Sequence, residues 1–194
     1  MTSFIDQIIG QARELNKTIC LPEGDDIRVQ NAAKIIEEKG IAKVVMLGSQ
    51  TPAEIEALKP ELAHELYELR KKRGMTEEEA LELINDELYL AMMLLKTKKV
   101  DGVVAGSTHA TGDVLRPALQ IVKTAPGSRL VSAFFIMCVP DCEFGEDGIF
   151  VFSDCGLNVN PDQEELACIA IQSAESFENF TGATPRVAML SHST

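Results

Sequence analysis

The chain has 194 residues, 45% of them hydrophobic, and 30 Asp and Glu against 18 Lys and Arg give a formal net charge of −12. That length holds one large domain or one and a fraction, with enough apolar residues for a sizeable core. The negative field excludes nucleic acid as a partner, whereas a small anion needs only a local cluster of arginines.

Two Tyr and no Trp beside many Ile, Val, Leu and Ala point to helices packed on a sheet rather than an all-β sandwich. The five cysteines form no Cys-x-x-Cys pair and no zinc spacing with the three histidines. They read as small apolar residues of a protein in a reducing cytoplasm, with no metal site expected. Phe4-Ile5-Asp6-Gln7-Ile8-Ile9 is amphipathic and broken by charge, so it does not read as a signal peptide. The longest apolar run, Leu130 to Pro140, is too short to span a bilayer.

In chain order, a helix over 3–15 leads to a strand at 18–21 that Pro22 ends, and Asp25 or Asp26 caps the next helix. Val29, Ala32, Ala33, Ile35 and Ile36 give that helix its apolar face, and Gly40 stops it. A strand at 43–47 completes a βαβ unit of a parallel sheet. Residues 52–72 read as two helices ending near Gly74. Thr76-x-x-Glu79 is a capping box for a helix that buries Leu81, Ile84, Leu88, Ala91, Met92 and Leu95.

Residues 100–124 read VDGVVAGSTHATGDVLRPALQIVKT: a short apolar strand, a Gly/Ser/Thr-rich turn, an arginine, and a helix opened by Pro117. Gly102, Gly106 and Gly112 allow tight turning, and Ser107, Thr108 and Thr111 offer hydroxyls. Arg116 supplies a fixed cation at the expected helix mouth. The loop lacks the Gly-Lys-Ser/Thr of a Walker A motif and is not a Gly-x-Gly-x-x-Gly fingerprint, yet it suits an anion. His109 reads as a loop histidine bonded to backbone, and Asp113 as a helix cap.

A buried strand is expected at 129–137. From Cys138 the character changes, and 139–152, with Pro140, Gly145 and Gly148, read as a hairpin or irregular crossover. The domain boundary is accordingly placed there: 1–137 as a first α/β domain, 138–194 as the start of a second. Asn160-Pro161 opens a helix to about Phe177, and 186–190 form a strand left without a covering helix.

Leu21-Pro22-Glu23-Gly24-Asp25-Asp26-Ile27-Arg28, Leu115-Arg116-Pro117-Ala118, Gln120 to Thr124, Ser132 to Met137, Val139-Pro140-Asp141-Cys142, Phe152-Ser153-Asp154-Cys155 and Val187 to Thr194 occur in this order. Together they resemble the phosphate acetyltransferases (phosphotransacetylases). The family pattern continues beyond Thr194 and is longer between Gly48 and Arg70.

The resemblance implies a two-domain isocitrate-dehydrogenase-like α/β architecture, with a parallel sheet flanked by helices and the second domain truncated. It implies transfer of an acetyl group between coenzyme A and phosphate, with CoA, acetyl-CoA, phosphate and acetyl phosphate as substrates. It further implies no cofactor, a homodimer and a cytoplasmic location. Arg116 and Arg70 would act in catalysis, and Arg28, Ser107, Thr111 and Arg116 in substrate binding. In isolation, Arg70 is an ordinary basic turn at a helix end, and Arg28 either faces the same cleft or pairs with Asp25. Asp154 is expected at the interdomain cleft. The family's general base belongs to the distal region, so the 194-residue chain is expected to be a feeble catalyst. The alternatives are a phosphate butyryltransferase and a non-catalytic fragment that binds an acyl phosphate or a partner chain.

Overall fold

The computed structural model describes residues 4–191; Ser3 and His192 to Thr194, included in the expectations above, lie outside them. The chain divides into two units, one ending at Lys123 and the other starting at Thr124. That division falls earlier than the boundary expected after Met137. The reason is pairing: Phe134–Cys138 (β4) joins Ile149–Ser153 (β5) in an antiparallel ribbon, so the segment leaves the first unit. Its expected burial fails with it, since β4 alternates between half-buried and exposed residues and Phe135 is 59% exposed.

In the first unit, α1 (Phe4–Leu15) precedes β1 (Thr18–Leu21), α2 (Ile27–Glu38) and β2 (Lys43–Met46). β3 (Gly102–Val103) completes a parallel sheet in the order β2-β1-β3, with Cys20 opposite Val45 on one side and Val103 on the other. Asp26, not Asp25, caps α2 by accepting the Arg28 backbone N–H. A single helix, α3 (Ala53–Arg70), replaces the two expected, with Pro60 inside it. Ile55, Leu62, Ala63 and Leu66 bury one face continuous across the proline, which holds the turns together despite the lost hydrogen bond.

The Thr76–Glu79 capping box is formed and opens α4 (Glu77–Leu83). The expected long helix breaks, because Asp86 accepts from the Leu88 and Tyr89 N–H groups and caps a new helix, α5 (Glu87–Lys96). Leu81 thereby ends 52% exposed, while α5 buries Leu88, Leu90, Ala91, Met92, Met93 and Leu94. A helix apolar nearly all round belongs in the middle of a core. Around it pack Cys20, Leu47, Leu62, Leu66, Ile84 and Ile121. Burial pushes the Cys20 thiol up to about 12, which keeps it neutral.

The helix expected to start at Pro117 starts earlier. α6 spans Thr111–Pro117, followed by a π-helical turn over 118–122. Pro117 is buried in the core, and that packing sets its place rather than the local preference of proline for a first helical position. Arg116 therefore sits in the last turn of α6, not at a helix mouth, and Asp113 lies in the first turn without capping it.

In the second unit, α7 (Gln163–Thr181) is capped by an Asp162–Glu165 capping box, so Pro161 precedes the helix rather than opening it. Residues 186–190 form no strand: no neighbouring strand pairs with them, and Leu190 is 92% exposed. Among the described residues, no helix is long and apolar enough to cross a membrane.

The turn from β1 to α2 leaves no room for a side chain at Gly24, where a Cβ would lie 2.2 Å from the Leu47 carbonyl oxygen. At Gly112, inside α6, a Cβ would meet nothing within 4 Å. Gly24→Ala should destabilise by about 1–3 kcal/mol, whereas Gly112→Ala should be neutral or stabilising by up to about 1 kcal/mol. Urea unfolding midpoints check both, and equal midpoints for the two variants would refute the close approach.

Candidate functional site

Strand β1 ends at Leu21 and β3 ends at Val103, so the turns that follow them lie side by side at the same end of the parallel sheet. One turn carries Glu23 and the other the Gly106–His109 loop. Gly106 has φ +107°, a left-handed conformation that frees successive N–H groups to point the same way. They converge on the carboxylate of Glu23. Gly106 and Ser107 donate from their backbones to Oε2 at 2.8 and 2.7 Å, and Thr108 and His109 donate to Oε1 at 2.7 and 3.0 Å. The Thr108 hydroxyl adds 3.0 Å and the His109 Nδ1 contact 2.9 Å, both to Oε1.

The anion expected in this loop is thus the protein's own carboxylate. Glu23 is 4% exposed and is the one buried charged residue among those described. Burial works to raise its carboxyl, but the N–H groups of Thr108, Ser107 and His109 and the His109 ring prevail and bring it from 4.5 down to about 2.

The neighbouring charges hold the same turn. Arg28 pairs with Asp26 at 2.5 Å and donates from Nη2 to the Ser107 carbonyl at 2.8 Å. Of the two expectations for Arg28, its partner is Asp26 rather than Asp25. Asp25 instead accepts from the Ser49 backbone N–H at 3.1 Å and from the Ser49 hydroxyl. Ser107 Oγ donates to Asp26 at 3.3 Å. The Thr111 hydroxyl makes no hydrogen bond among the described residues, and Arg116 lies 3.7 Å from Asp113 in an exposed pair. No described contact joins Arg116 to Ser107 or Thr111.

A second grouping centres on Tyr89, in the first turn of α5. Its hydroxyl donates to Gln120 Oε1 at 3.1 Å. Burial pushes that hydroxyl upward, while the charges of Arg116 and Arg70 both pull against it. Tyr89 is thereby within electrostatic reach of both arginines. Nε of Arg70 is buried without a hydrogen-bond partner, alone in this among the described side chains. The carboxyl of Glu87, two residues earlier, is raised chiefly by burial. Neither Tyr89 nor Glu23 stood out in the sequence; their cue was an acid and a phenol placed just after a strand and a cap.

Asp154, in the second unit, follows β5 and holds its own turn. It accepts from Gly156, Leu157 and Ala133 N–H at 2.9, 2.8 and 3.2 Å and from Asn158 Nδ2 at 2.7 Å. Burial opposes ionisation, yet the N–H of Leu157 and the Asn158 amide hold its carboxyl well below the usual carboxylate range. Its place is that of a turn anchor.

Glu23→Gln turns an acceptor into a part-donor facing four N–H groups. It should cost about 1–3 kcal/mol or somewhat more at neutral pH. The depressed carboxyl stabilises the wild type above about pH 4.5, and that advantage fades as pH falls toward about 2. Urea unfolding at neutral and acidic pH checks this, and a gap between the two proteins that stays constant down to acid would contradict it.

Comparison with known proteins places these residues in context. The Acetivibrio thermocellus protein named "Phosphate acetyltransferase" is 49% identical over 210 positions, covering 98% of this chain and 63% of its own length. Its namesake from Thermoanaerobacterium thermosaccharolyticum is 49% identical over 209 positions, covering 99% and 64%. Each aligned stretch is longer than this chain's 194 residues, so these relatives carry positions with no counterpart here. Among solved structures, the "EutD phosphotransacetylase from Staphylococcus aureus" superposes with a TM-score of 0.76 at 34% identity, over 90% of this chain and 58% of that one. A phosphotransacetylase from Streptococcus pyogenes gives 0.75 at 32%, over 91% and 59%. The chain thus spans under two thirds of the length of these relatives. The family described as "Phosphate acetyl/butaryl transferase" matches residues 3–194. The chain belongs to that phosphate acyltransferase family.

Proposed function

We propose that this chain carries phosphate acetyltransferase chemistry, the reversible reaction of acetyl phosphate and CoA to give acetyl-CoA and phosphate. The observation that supports this furthest is the buried guanidinium nitrogen of Arg70 left unpartnered, with Arg70 and Arg116 both within electrostatic reach of Tyr89. Two guanidinium groups suit a phosphate dianion, since each offers a planar fork of N–H donors and a charge that does not titrate.

As the acyl C–O bond breaks, negative charge grows on the departing phosphate. Arg70 and Arg116 stabilise that charge more than the charge of the bound ester, which lowers the barrier. Thr111, whose hydroxyl is uncommitted, supplies a further phosphate donor. Arg28 and Ser107 are already engaged with Asp26 and Glu23, so they shape the loop and would contact phosphate only by exchanging partners. The thiol attacks the carbonyl directly; no acyl-enzyme is required, and buried Cys20 is unsuited to one.

The acetyl reading is favoured over butyryl by the names of the relatives, which are acetyltransferases. The substrates are CoA, acetyl-CoA, phosphate and acetyl phosphate. The reading needs no cofactor, and it includes a homodimer in the cytoplasm.

The test is CoA-dependent formation of acetyl-CoA from acetyl phosphate. Losing one charge-assisted donor to the leaving group costs about 2–4 kcal/mol of transition-state stabilisation. Arg116→Ala should therefore lower kcat/KM by roughly 30-fold to 1000-fold. A near-wild-type rate would refute the role of Arg116, and butyryl phosphate turning over faster than acetyl phosphate would refute the acyl preference.

A further inference from the structure

Arg116 must be held where it can meet a phosphate that Arg70 also reaches, yet its own segment is poorly braced. Pro117, directly after it, has no N–H to give to the helix, and residues 118–122 wind as a π-helical turn. The Arg116 side chain is 62% exposed, and its ion pair with Asp113 is a loose 3.7 Å contact on the same helix. What sets this segment in place has to come from outside it.

Among the described residues, one side-chain hydrogen bond crosses from this segment to α5: the Tyr89 hydroxyl donates to Gln120 Oε1 at 3.1 Å. Its α5 end is firmly mounted. The Tyr89 N–H donates to the capping carboxylate of Asp86 at 3.1 Å, and the side chain packs against the core. At the other end, Gln120 lies four residues after Arg116, one helical turn on, between buried Pro117 and Ile121. Helix α3, which ends in Arg70, packs against α5 as well. Helix α5 is therefore the common mount of the segments that carry the two arginines. The hydroxyl itself, pushed up chiefly by burial, keeps its proton at neutral pH and stays a donor.

We propose that Tyr89 is a positioning residue: through Gln120, its hydroxyl sets the 111–122 segment against α5 so that Arg116 and Arg70 close on one phosphate. The inference rests on the acetyl-transfer reading and adds to it a residue that touches neither substrate nor reacting atoms. Without the hydroxyl, Gln120 Oε1 has no partner on α5, its amide turns to water, and Arg116 is left on a segment braced by apolar packing alone. The side chain is amphipathic for this purpose, with a ring for the core and an oxygen for the cross-link.

Tyr89→Phe removes that oxygen and leaves the ring. In the full chain, kcat for acetyl-CoA formation from acetyl phosphate should fall about 10-fold to 100-fold, because a clamping group misplaced by a fraction of its reach is that costly. The KM for CoA should not change. Gln120→Leu should give the same loss, and the two substitutions together no more than either alone. The decisive comparison is with Arg116. In an Arg116→Ala background, Tyr89→Phe should lower kcat less than about 2-fold, since the group it positions is gone. A merely structural tyrosine would lower both backgrounds by the same factor. A Tyr89→Phe enzyme with wild-type kcat would overturn the proposal, and so would a loss that persists undiminished in the Arg116→Ala background. Either result, with Arg116→Ala itself impaired, would leave the acetyl-transfer reading standing. A wild-type chain that forms no acetyl-CoA would overturn both.

Discussion

The Glu23 carboxylate in the 106–109 loop is the contact on which the first unit's geometry depends. Two turns that leave neighbouring parallel strands would otherwise present unpaired N–H groups at one end of the sheet. One buried acid satisfies four of them together with a hydroxyl and a ring nitrogen. Burying a charge is unfavourable unless it is fully hydrogen-bonded, and here the donors outweigh the desolvation. The same contact fixes which way the His109 ring faces.

Helix α5 is the second determinant. Its body is the core of the unit, and its first turn carries Tyr89, whose hydroxyl bonds Gln120 within electrostatic reach of Arg70 and Arg116. A capped helix buried nearly all round is a rigid mount, so the polar residues of its first turn are held by packing rather than by each other. This also reconciles the net charge of −12 with the anionic substrate of the proposed function. The acids nearest the loop are tied to N–H groups, hydroxyls or Arg28, while Arg116 has only an exposed and weak partner in Asp113.

Much of this was legible in the residues. The βαβ start, the Thr76 capping box and the anion-binding character of Gly106–His109 follow from local rules, and the resemblance carried by residues 21–28 and 115–124 led to the right family. What local rules missed is set by distant packing. Glycine and short polar residues announce an array of donors, but the acceptor lies 83 positions earlier in the chain. Proline's preference for a first helical turn misplaced the start of α6, because burial of Pro117 decided it. Asp86 split an unbroken apolar pattern into two helices, and residues 186–190 lacked a partner strand despite an apolar sequence.

The most direct test of this account is an NMR pH titration of the Glu23 side-chain carboxyl, followed together with the backbone amide protons of Gly106 to His109. The account predicts a carboxyl midpoint of about 2, with all four amides shifting at that same midpoint. A midpoint near 4.5, or amides that move independently of Glu23, would show that the loop is not built on this carboxylate.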